Sequence, residues 1–297
     1  MNLGISIPET SKASTISYEE FVAMQLKNDE FFDHVSIALK ASQGLMKTFS
    51  DVLDIMKTLK KHNYSQESLA VMNDLFRRDF GGRLSEESLA ETGKKLLEKL
   101  KGMKEKIGKA IRWLLGKIGG LIANIAKFAK SLPSRAAAAF KGKPPTGTFE
   151  SFDLSVVDDY VKFTDKFVNA GFGAISAEQV NEELNAYTSK FTLKTVTWTG
   201  QNEFLGYTDA ITNRLGQINA AIKKLNAAHE TAINKMVINV DTTSIDAVKK
   251  SVDDMEAALK VENVYTVVLN HLQAVARALS KSSTSLITSW NQHKTKK

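Results

Sequence analysis

The chain has no cysteine. That excludes a disulfide framework, a thiol nucleophile and any cysteine-ligated zinc or iron–sulfur centre. Histidine is sparse: His34, His62, His229, His271 and His293 are too scattered in sequence to suggest a metal cluster. Proline occurs only at positions 8, 133, 144 and 145, so no residue beyond Pro145 lacks the N–H that a helix needs. No stretch of roughly 18 or more uncharged apolar residues occurs. The best window, 110–129, carries Arg112, Lys117 and Lys127. Each cation would cost roughly 2.5–3.5 kcal/mol at the centre of a membrane, so a simple spanning helix is not expected. Met1–Thr10 has neither the positive start nor the apolar centre of a secretory signal. That predicts a protein kept in the cytoplasm where it is made, or in a particle assembled there. The patterns Gly-x-Ser-x-Gly, His-Glu-x-x-His and Gly-x-x-x-x-Gly-Lys-Ser/Thr are missing. An enzyme is therefore the least supported class, and no cofactor or metal is expected.

What the chain does have is an uneven charge. Residues 94–143 hold 14 basic side chains and two acidic ones, Glu98 and Glu105, a local charge of +12. Residues 1–93 sum to −4 and residues 144–297 to −1, against +7 for the whole chain. A concentrated cationic block attracts phosphates or anionic lipid far more than the same charge spread evenly.

The hydrophobic pattern predicts an all-α fold. Ser17-Tyr18-Glu19-Glu20 fits a capping box, and helices are expected near 17–28, near 29–62 and from Ser65 to Gly81-Gly82. Another starts at Ser85 and extends to about Ser131. Its seam is Leu96, Leu100, Met103, Ile107, Ile111, Leu114, Ile118, Leu121, Ile125, Phe128 and Leu132, spaced by threes and fours. Gly102, Gly108, Gly116, Gly119 and Gly120 make this helix pliable or let another backbone come close. Lys141-Gly142-Lys143-Pro144-Pro145 marks a linker, placed at 141–150. Helices follow at 153–170, at 176–190 behind the capping box Ser176–Gln179, at 203–237, at 245–260 and at 262–291. Phe191–Thr199 reads as an extended connector, because one strand makes no sheet. Ile211, Leu215, Ile218, Ile222 and Leu225 form a heptad-like seam suited to helix–helix self-association. The domain expectation is an acidic helical region at 1–93, a cationic amphipathic helix at 94–140, the linker, and a helical bundle at 151–297. Two bundle regions are thus joined by a Pro/Gly linker.

Single residues offer little chemistry. Asp158-Asp159 and Asp253-Asp254 are doublets on helices, where neighbours diverge by about 100°, so neither pair converges on one metal. His229 and His271 fit packed helix positions, and Trp198 and Trp290 fit hydrophobic anchors. Gly116-Lys117-Ile118-Gly119-Gly120 lacks the strand and the terminal Lys-Ser/Thr of a phosphate loop.

The cationic helix is the strongest signal. Its candidate anion-binding residues are Lys94, Lys95, Lys99, Lys101, Lys104, Lys106, Lys109, Arg112, Lys117, Lys127 and Lys130. Its apolar face, facing a membrane or a partner helix, is Ile107, Ile111, Leu114, Ile118, Leu121, Ile125 and Phe128. The plain alternative is a bundle helix with a solvated lysine face. Against it stands the shortage of glutamates spaced to balance the lysines. With the run Lys94–Lys117 between an acidic helical part and a longer helical part, the chain resembles the internal head proteins of large tailed bacteriophages. The resemblance covers architecture and composition along the whole chain. It implies a non-enzymatic virion protein made in the host cytoplasm and packaged inside the capsid. Its implied partners are DNA, through non-specific electrostatics, and capsid or other virion proteins. It also implies trimming by a maturation protease. Ser65-Gln66-Glu67, Ser85-Glu86-Glu87 and Ser176-Ala177-Glu178 match the short motif such proteases use, and no cleavage site is assigned among them. The rival is a membrane-active helical protein of the pore-forming type, adsorbing to an anionic membrane or inserting through 107–128. A third reading is a scaffold acting through the 211–236 seam.

Overall fold

A computed structural model describes residues 18–20, 22–23, 30, 32–37, 39–40, 116, 118–120, 122–125, 144–188, 190–235 and 245–295. These residues are 82% helical. The order is β1 (Thr146–Ser151), α1 (Ser155–Ala170), α2 (Ala177–Thr188), β2 (Lys194–Thr199), α3 (Gly200–Lys235) and α4 (Ile245–Thr295). The fold is mostly helical, and a two-stranded sheet qualifies the all-α expectation.

Helix α4 is the axis. It runs 51 residues as one element where two helices were expected. No glycine or proline falls within it, so nothing interrupts the backbone ladder near residue 261. Between Val261 and Trp290 its only charged residues are Glu262, Arg277 and Lys281. A helix this poor in charge must be covered on several sides. Val264, Leu272, Leu279, Leu286 and Ile287 are fully buried, and so are the hydroxyl residues Thr266 and Ser280. Helices α2 and α3, strand β1 and, more lightly, α1 pack on it.

The ends of the shorter helices follow local chemistry. Just ahead of α1, Asp153 Oδ1 accepts a hydrogen bond from the Ser155 amide at 3.0 Å, and hydrogen bonding from the Ser155 side chain and then from its amide holds the Asp153 carboxyl below the usual range. Gly171, with φ 88°, closes α1 by donating its N–H to the Phe167 carbonyl at 2.9 Å. The capping box of α2 is present in both directions. The Ser176 amide donates to Gln179 Oε1 at 3.0 Å, and the Gln179 amide donates to Ser176 Oγ at 3.2 Å.

The sheet corrects two expectations. Residues 146–150, taken as linker, are strand, and 194–199, taken as connector, are its antiparallel partner. Thr146 pairs with Thr199, Gly147 with Trp198 and Phe149 with Val196. The Gly200 amide donates to the Pro145 carbonyl at 2.6 Å and closes the ladder. A two-stranded ribbon is marginal alone, and α4 supplies what it lacks. The Glu150 amide donates to Ser285 Oγ at 2.9 Å, and Trp198 Nε1 donates to Ser289 Oγ at 2.8 Å. Trp198 stacks on Trp290 with centroids 5.5 Å apart. Trp290, read from the sequence as a hydrophobic anchor, is fully buried. Gly147 is required, since a Cβ there would stand 2.7 Å from the Trp198 ring.

The N-terminal part joins the same core. Phe32, Val35 and Leu39 are buried with the α4 residues. Gln273 Nε2 donates to the Phe32 carbonyl at 2.8 Å, and Arg277 pairs with Asp33 at 2.7 Å.

Candidate functional site

Of the cationic segment, the structure describes residues 116, 118–120 and 122–125, all helical. Ile118 and Ile125 are 0% and 1% exposed, in one cluster with Phe32 and the buried residues of α1, α3 and α4. Ile122 packs against that cluster half-buried, while Gly116, Gly120 and Ala123 are exposed. Ile118 and Ile125, expected on a face for a membrane or a partner helix, here meet the protein's own core. The other expected face residues, Ile107, Ile111, Leu114, Leu121 and Phe128, lie outside the described residues. So do the eleven candidate cations: Lys94, Lys95, Lys99, Lys101, Lys104, Lys106, Lys109, Arg112, Lys117, Lys127 and Lys130.

The glycine expectation divides. Among the described residues, nothing approaches within 4 Å of a Cβ built at Gly116, Gly119 or Gly120. Among these neighbours no backbone comes close to them. Each glycine costs about 1 kcal/mol of helix propensity relative to alanine.

The heptad-like seam expected to mediate self-association is occupied within the chain. Ile211, Leu215, Ile218, Ile222 and Leu225 are all 0–1% exposed, and α3 packs on α4 and α1. Their side chains present no free face to a second copy in this conformation, because the chain's own helices fill the groove.

Next to the seam lies a polar group that the sequence did not reveal. His229 Nε2 sits 3.0 Å from Glu262 Oε1, with both side chains 5–6% exposed. The His229 ring stacks on Tyr265 at 3.9 Å, and Tyr265 OH donates to Asn226 Oδ1 at 3.1 Å. Burial beside Glu262 and Glu230 pushes the Tyr265 hydroxyl far above its ordinary range, so it stays protonated. Glu262 Oε2 has no hydrogen-bond partner among the described residues. The pair bridges α3 and α4, and a buried pair of this kind is costly to break from one side. His271, by contrast, is half-buried against Asn181 Oδ1 at 3.2 Å, and burial lowers its pKa.

The acidic doublet of α1 splits as helical geometry requires. Asp158 pairs with Arg214 at 2.9 Å and Asp159 with Lys190 at 3.0 Å. A shallow groove between β1 and α4 is lined by Thr148, Lys281, Thr284, Thr288 and neighbouring hydroxyls, and holds no acid–base pair. Among the described residues no group of three His, Cys, Asp or Glu side chains could hold a metal ion. No described helix is long and apolar enough to cross a membrane. No family model, curated protein or solved structure matches the chain.

Proposed function

We propose that this is a non-enzymatic structural protein of the phage internal head type. It lies inside a capsid beside DNA and touches the phosphate backbone through the cationic helix 94–140, which sits between an acidic N-terminal region and the C-terminal bundle. The observation that carries the proposal is the concentration of 14 cations and two anions within residues 94–143. Such a segment binds polyphosphate without reading bases. The burial of Ile118 and Ile125 favours DNA over lipid as the partner. A membrane-active mode would first have to withdraw both side chains from the core, at a cost of about 3–6 kcal/mol. Phosphate contact requires no such step.

Fluorescence anisotropy with labelled duplexes tests this. Affinity should fall steeply between roughly 50 and 200 mM salt and be the same for unrelated sequences. Changing Lys94, Lys95, Lys99 and Lys101 together to glutamate should weaken binding to every duplex alike. Binding that ignores salt, or survives that charge reversal, removes the basis of the proposal.

A further inference from the structure

The groove between β1 and α4 has a volume of about 320 Å³. That lies at the small end of ligand pockets, which span roughly 300–1,000 Å³. Thr148, Lys281, Thr284, Ser285, Thr288 and Ser289 supply most of its lining, and no carboxylate does. On α4 these residues fall at alternating steps of three and one, which puts them on one face of the helix. Residues 263–297 contain no Asp or Glu, whereas Arg277, Lys281 and Lys294 fall on α4. Every formal charge on this part of the helix is therefore positive.

The hydrogen bonds around the groove leave it rich in donors. The bond from the Gly200 amide to the Pro145 carbonyl sets the alternation of the ladder. Thr148 and Glu150 then occupy the pairs that exchange no hydrogen bond, so both amides point away from β2. The Glu150 amide meets Ser285 Oγ at 2.9 Å, and the Glu150 carboxylate is not among the groups that line the groove. The Thr148 amide, facing the same way, has no partner among the described residues. Ser285 Oγ accepts from Glu150, and Thr288 Oγ1 accepts from Tyr18 OH at 3.5 Å, so both keep a hydroxyl proton to donate. Thr284 and Ser289 direct theirs to carbonyls of α4. The exposed Lys281 ammonium forms no ion pair among the described residues.

Several donors with one cation and no anion suit an oxyanion, whose oxygens accept from more than one group at once. A neutral polyol would bring donors of its own and leave the Lys281 charge unmatched. We propose that this groove binds a phosphate group, held by the Lys281 ammonium, the Ser285 and Thr288 hydroxyls and the Thr148 amide. The group is either free phosphate or a phosphate of a nucleic-acid backbone. The site lies outside residues 94–143 and stands whether or not that segment binds DNA.

Titrating inorganic phosphate into the isotope-labelled full chain, followed by NMR, tests the site. The Thr148 amide and the Trp198 indole, which is bonded to Ser289, should shift along one saturable curve. Sodium chloride at equal ionic strength should not reproduce the shift. Lys281→Gln should weaken binding about tenfold, the loss expected for a charge-assisted hydrogen bond, and Thr288→Val about threefold. Lys223→Gln, which removes an exposed cation from α3, should leave it unchanged. A short DNA duplex separates the two sources. A Thr148 shift with the duplex that Lys281→Gln abolishes assigns the groove to backbone phosphate, and a shift with inorganic phosphate alone assigns it to small phosphates. Duplex binding that survives charge reversal at Lys94, Lys95, Lys99 and Lys101 bears on residues 94–143 only and leaves the phosphate titration as it stands. The proposal is overturned if phosphate and duplex both leave Thr148 unmoved, or if chloride gives the same shift. It is equally overturned if Lys223→Gln weakens binding as much as Lys281→Gln.

Discussion

Two isoleucine seams, one in each half of the chain, make an instructive pair. The seam of α3 and the seam around Ile118 and Ile125 both step by threes and fours, and both bury into one core. Around the first, polar contacts reach neighbouring elements: ion pairs from Arg214 to Asp158 and from Lys224 to Asp165, and the hydrogen bond between His229 and Glu262. The second carries three glycines, of which Gly116 and Gly120 are exposed. Periodicity thus reports which side of a helix is buried. It does not report how firmly the helix is held, which depends on backbone propensity and on directional contacts.

The sharpest way to break this contrast is at the buried pair. His229→Leu strands Glu262 in the core and should cost about 3–5 kcal/mol, read as a fall in the urea midpoint. Adding Glu262→Leu should restore most of that loss, since a packed apolar pair can replace a buried hydrogen-bonded one. A single change that leaves the midpoint in place would mean that the His229–Glu262 contact does not hold α3 on α4.

A smaller effect is expected at the sheet. Gly147→Val forces the Trp198 ring away from its seat and should cost about 1–3 kcal/mol. Near-ultraviolet circular dichroism should lose the signal of the Trp198–Trp290 stack. An unchanged spectrum would show the ribbon to be looser than the body it joins.

The smallest effect separates burial from pairing. Burial depresses the His271 pKa below 6.5, so the folded state binds fewer protons than the unfolded chain just below that value. The resulting stability is present above about pH 6.5 and is lost as pH falls through the lower folded value. His271→Gln should flatten that part of the stability profile while leaving the plateau above it nearly unmoved. A profile of unchanged slope would place the titration elsewhere.

These contrasts explain what the sequence made legible. The helices α1 to α4 announced themselves through apolar spacing, and the α2 cap through Ser176 and Gln179. Both signals are local, written within a turn or two of the residues they organise. The ribbon was harder because its halves lie 43 positions apart between their inner ends, Ser151 and Lys194, in separate stretches that each look like a connector. The alternation in Thr146–Ser151 and again in Lys194–Thr199 was the available clue, with Gly147 opposite Trp198 as its most specific element. The continuity of α4 was visible in the absence of glycine and proline, although two helices, 245–260 and 262–291, were expected there. Glu262 stayed hidden because a lone glutamate on a helix is normally solvated, and its partner is 33 residues away. The cationic segment was legible as charge and as an inward face at Ile118 and Ile125.

The hydrogen bond from Gln273 to the Phe32 carbonyl closes a loop of 241 residues. Translation at roughly 5–20 residues per second separates the emergence of these two partners by on the order of 10–50 s. Until α4 emerges, Phe32, Val35 and Leu39 lack the apolar neighbours that α4 supplies. Over that interval the nascent chain must keep these greasy side chains from sticking to other molecules.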